Sequence, residues 1–508
     1  MSHALTTGRP WRVVLVFAIP LLVGNIVQQL YQVTDAFVVG RTLGVDALAA
    51  VGSTGSLLFL LLGFAWGMTT GFAIPTAQAF GARDHAAVRR SVAAGTILSA
   101  GSSAVLTVLA LALTGPALRL LQTPAELVPQ ATTFAMVSFA GAAATVSFNY
   151  LSAVIRATGD SRTPLVFLAI CCGLNAALVV LLVRVVGFGV GGAAAATVVS
   201  QAVSVMLCLE YVRRRVPVLR IGRADLRAAR GDLGRHLRIG LPMGFQASII
   251  AIGTLAVQLR LNELGPDAVA AYTTAARVDG LAVALLASLG LATSTFVAQN
   301  LGAGRPDRIR RGVSQALIMS VTGAVAIGAV LVTGGASIVR LFVGPDEQAV
   351  VDMAAQFLTV NGVAYAVLGV LFVLRGGLQG LGHTLVPTIT GAVELVARVG
   401  AAIVLGAAFG YAGVVWGNPL AWIGAVVILV PATVHAHRAL SRTPAADASG
   451  QAAPADEPTT VPVVVDGPIE DAIVLDAIVL DPAVLDPAVL DVAVPHQRGP
   501  LEVGAGTR

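Results

Sequence analysis

The chain has 508 residues, of which 56% are hydrophobic and only 12% are charged, whereas soluble domains carry about 25% charged residues. This composition excludes a soluble globular protein and indicates a polytopic membrane protein. All 32 basic residues are arginines. The three cysteines, Cys171, Cys172 and Cys208, lie in apolar runs without metal-ligand or redox spacing, so we predict no metal site and no cofactor.

Twelve apolar runs are long enough to cross a membrane, because a spanning helix needs about 20 residues. They form two sets of six on either side of a polar stretch. The sequence therefore predicts an all-α polytopic membrane protein with twelve transmembrane helices in two six-helix bundles. The runs cover 13–34, 47–82, 91–118, 127–155, 163–183, 185–209, 239–259, 268–304, 312–339, 353–374, 384–407 and 411–434.

The domain organisation follows from these runs. We predict an N-terminal lobe over 1–212, a basic cytoplasmic loop between the lobes over 213–238, a C-terminal lobe over 239–443 and an acidic tail over 444–508.

The arginines predict the orientation, since cytoplasmic connections are enriched in basic residues. The even-numbered connections and the two ends of the membrane region hold 23 arginines, including Arg375, and the odd-numbered connections hold five. Both termini are therefore expected in the cytoplasm. Arg9 and Arg12 precede the first run as in a signal sequence, but no cleavage site follows promptly, so this run is interpreted as the first helix of a multi-pass cell-membrane protein.

The two sets of helices share an internal repeat. LGVDALAAVG (43–52) matches LGPDAVAAYT (264–273) at six of ten positions, and AQAFGARDHAAVRR (77–90) matches AQNLGAGRPDRIRR (298–311) at six of fourteen, both at an offset of 221. Composition alone would give about two matches in these positions. Two parallel six-helix repeats are a transporter architecture, in which the substrate site lies between the halves and access alternates between the two faces.

The segments outside the membrane carry opposite charges. The loop 213–238 holds nine arginines, which are expected to contact anionic lipid head groups. The tail contains DAIVLDAIVLDPAVLDPAVLDVAV (471–494), with acids every five residues, a period that fits neither helix nor strand, so a disordered low-complexity tail is predicted. A second hypothesis is that this tail docks on the basic face and regulates the protein. Neither segment resembles a nucleic-acid-binding module.

Asp35 ends a run without charges and is the first candidate for function. It lies about 33 Å along the first helix, and Asn25, Gln28 and Gln32 precede it at helical spacing, with Gln29 and Tyr31 between them. Asp35 could be an interfacial acid or pair with Arg41; the polar stripe favours a carboxylate that faces an internal cavity. Such a group could take up a proton and release it when a cationic substrate arrives, or it could bind Na⁺.

Four further charges lie inside predicted helices: Arg277, Asp279, Glu394 and Arg398. Arg277 and Asp279 are two apart, so we expect each to have a partner on another helix, in a structural ion pair or in a substrate site. Glu394 and Arg398 are four apart in the favourable order for an ion pair within one helix. Polar residues add hydrogen-bonding groups that can join helices or line a cavity; they are Asn149, Asn175, Gln246, Gln258 and Asn361.

Several motifs together resemble multidrug and toxic compound extrusion (MATE) transporters. These are PLLVGNIVQQLYQVTDAFVVGRTLGVDALAAVG (20–52), AVIRATGDSRTP (153–164), GLPMGFQASI (240–249) and FVAQNLGAGRPDRIRRG (296–312). The resemblance covers about 15–435. It implies export of organic, often cationic, compounds driven by entry of H⁺ or Na⁺, with Asp35 at the position of the first-helix acid that couples transport to the ion.

Two positions depart from family patterns. Val179 stands four residues after Asn175, where related proteins often have a second aspartate, so coupling would depend on Asp35 alone. Ile250 stands where a seventh-helix glutamate occurs in some Na⁺-coupled members, which argues against that arrangement.

We therefore predict a secondary antiporter that exports small organic, cationic compounds in exchange for H⁺ or Na⁺ as a monomer in the lipid membrane. Alternatives within transport are a flippase for lipid-linked precursors and a major-facilitator carrier. Major-facilitator carriers have a characteristic charged loop after the second helix, and GARDHAAVRR (81–90) of this chain resembles that loop only in part. A membrane enzyme is disfavoured, since there is no HExxH motif, paired catalytic carboxylate or nucleophile–base arrangement. The duplication and the intramembrane acid weaken a receptor.

Overall fold

The computed structural model describes residues 5–120, 124–341, 343 and 347–442, and the acidic tail lies outside these residues. The described residues form helices and short connections without strands, which confirms the predicted all-α class. The long helices of the first half are α1 (Pro10–Leu43), α2 (Val45–Gly81), α3 (His85–Leu120), α4 (Val128–Ala140), α5 (Ala142–Ala157), α6 (Arg162–Val179) and α7 (Gly189–Arg215). Between the halves lies α8 (Arg223–Ala228), flanked by 3₁₀ turns at Pro217–Leu219 and Ala229–Asp232.

The second half contains α9 (Leu233–Leu264), α10 (Pro266–Gly302), α11 (Pro306–Arg340), α12 (Gln348–Leu381), α13 (Leu385–Gly400), α14 (Gly406–Phe409), α15 (Tyr411–Val415) and α16 (Gly417–Arg442). Eleven helical segments of the described chain are long and apolar enough to span a membrane, and α4 with α5, bent by 46°, makes the twelfth. The bend lies at Gly141, where an added Cβ would be 2.0 Å from Val198 Cγ2. Glycine therefore allows α7 to pack against the bend.

The internal repeat is visible in the backbone. Gly44 and Gly265 join the first two helices of each half with φ of 91° and 103°, in the left-handed region that favours glycine. Gly159 and Gly382 occupy equivalent turns with φ of 90° and 91°. Each half also contains one π-helical segment, at Val180–Val185 and Ala401–Leu405. The sequence offset of about 221 residues thus recurs as a repeated conformation.

One end of the bundle carries most of the arginines, and we call it the basic end. It contains the connections 82–84, 158–161, 216–222, 303–305 and 382–384, whereas Gly44, Gly265 and Gly410 lie at the opposite end. At the basic end the first helix of each half packs against the other half. Val14 and Phe17 of α1 share an apolar cluster with Phe296 of α10, and α9 packs against α2.

Glycines permit this close packing. A Cβ on Gly71 of α2 would be 2.5 Å from Gly240 Cα of α9. Near the basic end, a Cβ on Gly81 would be 1.9 Å from the Gln299 carbonyl oxygen, and a Cβ on Gly302 would be 1.8 Å from that of Gln78. Because Gly81 and Gly302 are repeat-equivalent, α2 and α10 meet in a symmetric contact that closes the basic end.

Hydrogen bonds between the halves reach only to the middle of the bundle in the described part of the chain. The hydrogen bond from Ser248 Oγ to the Leu60 carbonyl (3.4 Å) joins them near the middle of α9 and α2. In the described part of the chain, no hydrogen bond between the halves lies beyond this point. The hydrogen bonds between the halves are therefore concentrated in the part of the bundle next to the basic end.

Candidate functional site

The site around Asp35 is built from three helices of the first half. Asp35 lies eight residues before the end of α1, about 12 Å from the opposite end of the bundle. Its Oδ2 lies 3.3 Å from the Thr197 hydroxyl of α7, and Asn175 Nδ2 of α6 donates to the same hydroxyl (3.2 Å). The structure therefore brings Asp35 and Asn175 together through Thr197.

Three oxygens of this site are buried without a hydrogen-bond partner among the described residues: Asp35 Oδ1, Asn175 Oδ1 and the Tyr31 hydroxyl. Buried polar groups without partners are unfavourable and rare. Asp35 forms no ion pair in the described part of the chain, and Arg41, its possible partner from the sequence, is exposed. The site is thus a lone carboxylate among neutral oxygens and amides.

Other predicted residues of the first half lie apart from Asp35. Asn25 Nδ2 donates to Ser288 Oγ of α10 (3.0 Å), so it joins the two halves. Gln28 and Gln29 are exposed on α1, and Asn149 is half-buried on α5 without a hydrogen bond among the described residues. The helical spacing predicted one polar stripe, but the structure divides it between a contact with α10 and the Asp35 site.

A second buried carboxylate lies in the other half. Asp279 of α10 accepts hydrogen bonds from Asn361 Nδ2 (2.9 Å) and from the Tyr365 hydroxyl (2.6 Å), both on α12. The sequence predicted a partner on another helix for Asp279, and the structure provides two. Arg277, two residues earlier, is exposed and has no ion pair among the described residues, so the partner predicted for it is absent there.

Glu394 and Arg398 form the predicted pair within α13, with 3.5 Å between Glu394 Oε2 and Arg398 Nη2. Glu394 also pairs with Arg375 of α12. Arg398 Nε donates in addition to Asn418 Oδ1 of α16 (3.2 Å). Because Glu394 is 3% exposed and Arg375 7%, this cluster is a buried interhelical network that ties α12, α13 and α16 together.

Two residues have roles that the sequence did not show. Arg375 was predicted to lie in a connection between helices. It lies inside α12 and is buried, so this prediction is wrong. Arg375 directly follows the apolar run 353–374, and nothing in the sequence indicated that it pairs with Glu394, 19 residues later. Thr197 lies in an alanine-rich stretch of α7, where a single threonine is inconspicuous.

Gln246 joins helices, since its Nε2 donates to the Pro387 carbonyl (2.8 Å) and its Oε1 accepts from Gln379 (3.1 Å).

Comparisons with known proteins identify the family. The MatE family model matches residues 20–181 and 242–411, one segment in each half. The chain belongs to the MatE family. It is therefore an efflux transporter of the multi-pass membrane type and not an enzyme, and a major-facilitator carrier, a receptor and a membrane enzyme are excluded.

Individual MatE relatives agree with this assignment. The "Probable multidrug resistance protein YoeA" of Bacillus subtilis is 30% identical over 387 residues, which cover 75% of this chain and 83% of that protein. The "FAD transporter" of Shewanella oneidensis is 25% identical over 327 residues, which cover 63% of this chain and 70% of that protein. A solved structure described as an outward-facing multidrug resistance MATE family transporter has a TM-score of 0.79 at 24% identity, covering 86% of this chain and 98% of that one. This likeness shows the same fold.

Proposed function

We propose that this MatE protein exports small organic compounds across the cell membrane in exchange for H⁺, and that Asp35 carries the proton. The observation that supports this proposal is the buried Asp35 Oδ1, which has no hydrogen-bond partner among the described residues. Among the described residues, the ionised carboxylate would have one hydroxyl donor, Thr197 at Oδ2, no donor at Oδ1 and no cation to stabilise its charge. Protonation removes that charge, so the site favours uptake of a proton over a permanent charge.

The absence of an ion pair at Asp35 in the described structure is important for this role. An arginine within pairing distance would hold the carboxylate ionised throughout the cycle. Thr197 and Asn175 are neutral, and the Thr197 hydroxyl can donate or accept. They can therefore accommodate either protonation state of Asp35.

Sodium is the second candidate ion. Asp35 and Asn175 both contact the Thr197 hydroxyl, Tyr31 lies about one helical turn before Asp35 on α1, and hard cations bind to oxygen ligands such as these. Val179, at the position where related proteins often have a second aspartate, is fully buried among apolar residues. With a single carboxylate in the site, we propose H⁺ as the coupling ion, and an imposed sodium gradient tests the alternative.

We further propose that the basic end faces the cytoplasm, in accordance with the distribution of arginines. The lobes would then be closed toward the cytoplasm and separated toward the outside in the described state. In the transport cycle the contact of α2 with α10 would open and the compound would enter between the lobes. We propose that 1–212 and 239–443 are these lobes and that the protein acts as a monomer.

The exported compounds are proposed to be small and organic, as for relatives named multidrug resistance proteins and an FAD transporter. A cationic group on the compound would favour release of the proton from Asp35, because the positive charge stabilises the ionised carboxylate. We therefore propose that the compounds carry a cationic group.

Dye efflux from reconstituted vesicles tests the coupling. Under an imposed pH gradient, the wild type should transport a cationic dye and Asp35→Asn should not, since asparagine cannot carry a proton. Asp46→Asn, at the exposed start of α2, is the control and should retain transport. Full activity of Asp35→Asn would refute the role of Asp35. Transport that follows an imposed sodium gradient at equal pH would identify Na⁺ as the coupling ion.

A further inference from the structure

A small cavity lies between the two halves next to the basic end. It is lined by α2, α5 and α10, and its polar side chains are Thr70, Arg156, Ser294 and Thr295. Arg156 belongs to the motif AVIRATGDSRTP, which the Asp35 site does not use. Gln299 Nε2 of α10 donates to the Ala157 carbonyl (2.8 Å), so α5 and α10 are in direct contact beside this cavity.

The cavity lies on the pseudo-two-fold axis of the protein. Ile74 and Thr295 are repeat-equivalent at the offset of 221, as are Ala77 and Ala298, and all four line it. A compound that passes between the lobes follows this axis. If the contact of α2 with α10 opens as proposed, this cavity would become the entrance at the basic end.

The polar lining breaks the symmetry of the repeat. At the offset of 223 that relates Gly159 to Gly382, the repeat equivalent of Arg156 is Gln379, which donates to Gln246 within its own half. The repeat equivalent of Ser294 is Ala73. Arg156 and Ser294 therefore have no chemically similar residue at the equivalent position of the other half.

Both groups are without partners. Arg156 makes no hydrogen bond or ion pair with any described residue. Ser294 is 5% exposed, and its hydroxyl likewise has no hydrogen-bond partner in the described part of the chain. A cation between two lobes without a counter-charge is unfavourable, whereas a guanidinium beside a hydroxyl can hold an anionic oxygen group with charge-assisted hydrogen bonds.

A second arginine lies on the same face of α10. Arg277 precedes Thr295 by 18 residues, five full turns of an α-helix, so both project from one side. Ser288, on nearly the same side, contacts Asn25 of the other half. Arg277 is exposed, and an arginine within a membrane span normally faces a water-filled cavity and not lipid. If Arg277 faces the space between the lobes, it adds a second cation there, nearer the opposite end than Arg156.

We propose that Arg156 and Ser294 bind an anionic oxygen group of the exported compound, a carboxylate or a phosphate, as it enters between the lobes. The inference rests on the proposed export function and extends it: the preferred compounds are zwitterions, which carry an anionic oxygen group in addition to the cationic group, and Arg156 selects them.

Binding of a matched pair of dyes tests the role of Arg156. Rhodamine B has a free carboxylate beside its cationic xanthene, and its ethyl ester differs by lacking that carboxylate. Fluorescence anisotropy with the purified full-length protein should show about tenfold tighter binding of rhodamine B, the effect of one charge-assisted hydrogen bond. Arg156→Gln, which copies Gln379, should weaken rhodamine B binding to the level of the ester and leave ester binding unchanged.

Three further variants complete the experiment. Arg156→Lys keeps the charge and should retain most of the preference, and Ser294→Ala, which copies Ala73, should reduce it about threefold. Arg162→Gln, an exposed arginine six residues away, should bind both dyes as the wild type does. Equal binding of the two dyes to the wild type would overturn the proposal. So would an equal loss of both dyes in Arg156→Gln, which would indicate a structural role.

The Asp35 proposal and this one can fail separately. Loss of proton coupling in Asp35→Asn concerns only gradient-driven transport, whereas the preference for rhodamine B is measured at equilibrium without a gradient. Inorganic phosphate should compete with rhodamine B for the wild type but not with its ester. Phosphate binding that does not displace rhodamine B would contradict recognition of the dye carboxylate at Arg156.

Discussion

Gly302→Ala should open the basic end. In the described state an added Cβ would be 1.8 Å from the Gln78 carbonyl oxygen and 2.7 Å from its carbon, and Cβ atoms essentially never approach closer than 3.0 Å. The backbone of α10 must therefore move by about 1 Å away from α2, and such overpacking costs about 1–3 kcal/mol. Because this cost applies only while the lobes are closed there, the population should shift toward the open state by roughly 5–150-fold.

Spin labels at the exposed positions His85 and Asp307, in a background with Cys171, Cys172 and Cys208 replaced by alanine, can measure this shift. Double electron–electron resonance should give a longer distance between the labels in Gly302→Ala than in the parent protein. Gly280→Ala is the matched control on α10, since nothing lies within 4 Å of its added Cβ. The same distance distribution in Gly302→Ala and Gly280→Ala would refute the steric argument.

Three further predictions concern the packing around the site. Glu394→Gln leaves Arg375 and Arg398 without their carboxylate. Thermal unfolding in detergent should therefore show a loss of about 3–5 kcal/mol in the free energy of unfolding, as for other broken buried ion pairs. The double variant Glu394→Gln with Arg375→Met should be less destabilised. Burial raises the pKa of Asp160, but hydrogen bonds from Thr163, Tyr211 and Arg162 outweigh this effect and lower the pKa below its ordinary value. The wild type should therefore lose stability as the pH falls below about 4 and through the folded-state pKa. In Asp160→Asn, the loss of unfolding free energy at acid pH should be smaller. Arg308 donates to the carbonyls of Leu5, Thr7 and Gly8, so Arg308→Gln should speed proteolysis of the N-terminal segment, whereas equal cleavage rates would contradict a clamping role.

The architecture could be predicted from the amino-acid sequence. Twelve apolar runs can satisfy their backbone groups in lipid only as helices, and the offset of about 221 residues placed them in two parallel sets. The structure confirms both, down to the paired glycine turns at Gly44 and Gly265. Asp35 also stood out in the sequence, since a single charge after an apolar run is conspicuous without any knowledge of its neighbours.

Which polar residues contact one another could not be predicted without the packing of the helices. Thr197 beside Asp35, Arg375 beside Glu394 and Tyr365 beside Asp279 are partners from different helices. Their contacts depend on helix rotation and packing, and the spacing within one helix contains no information about the neighbouring helix. The same holds for Arg156: the sequence places it at the end of an apolar run, and only the packing of α2, α5 and α10 puts it without a counter-charge on the axis between the lobes.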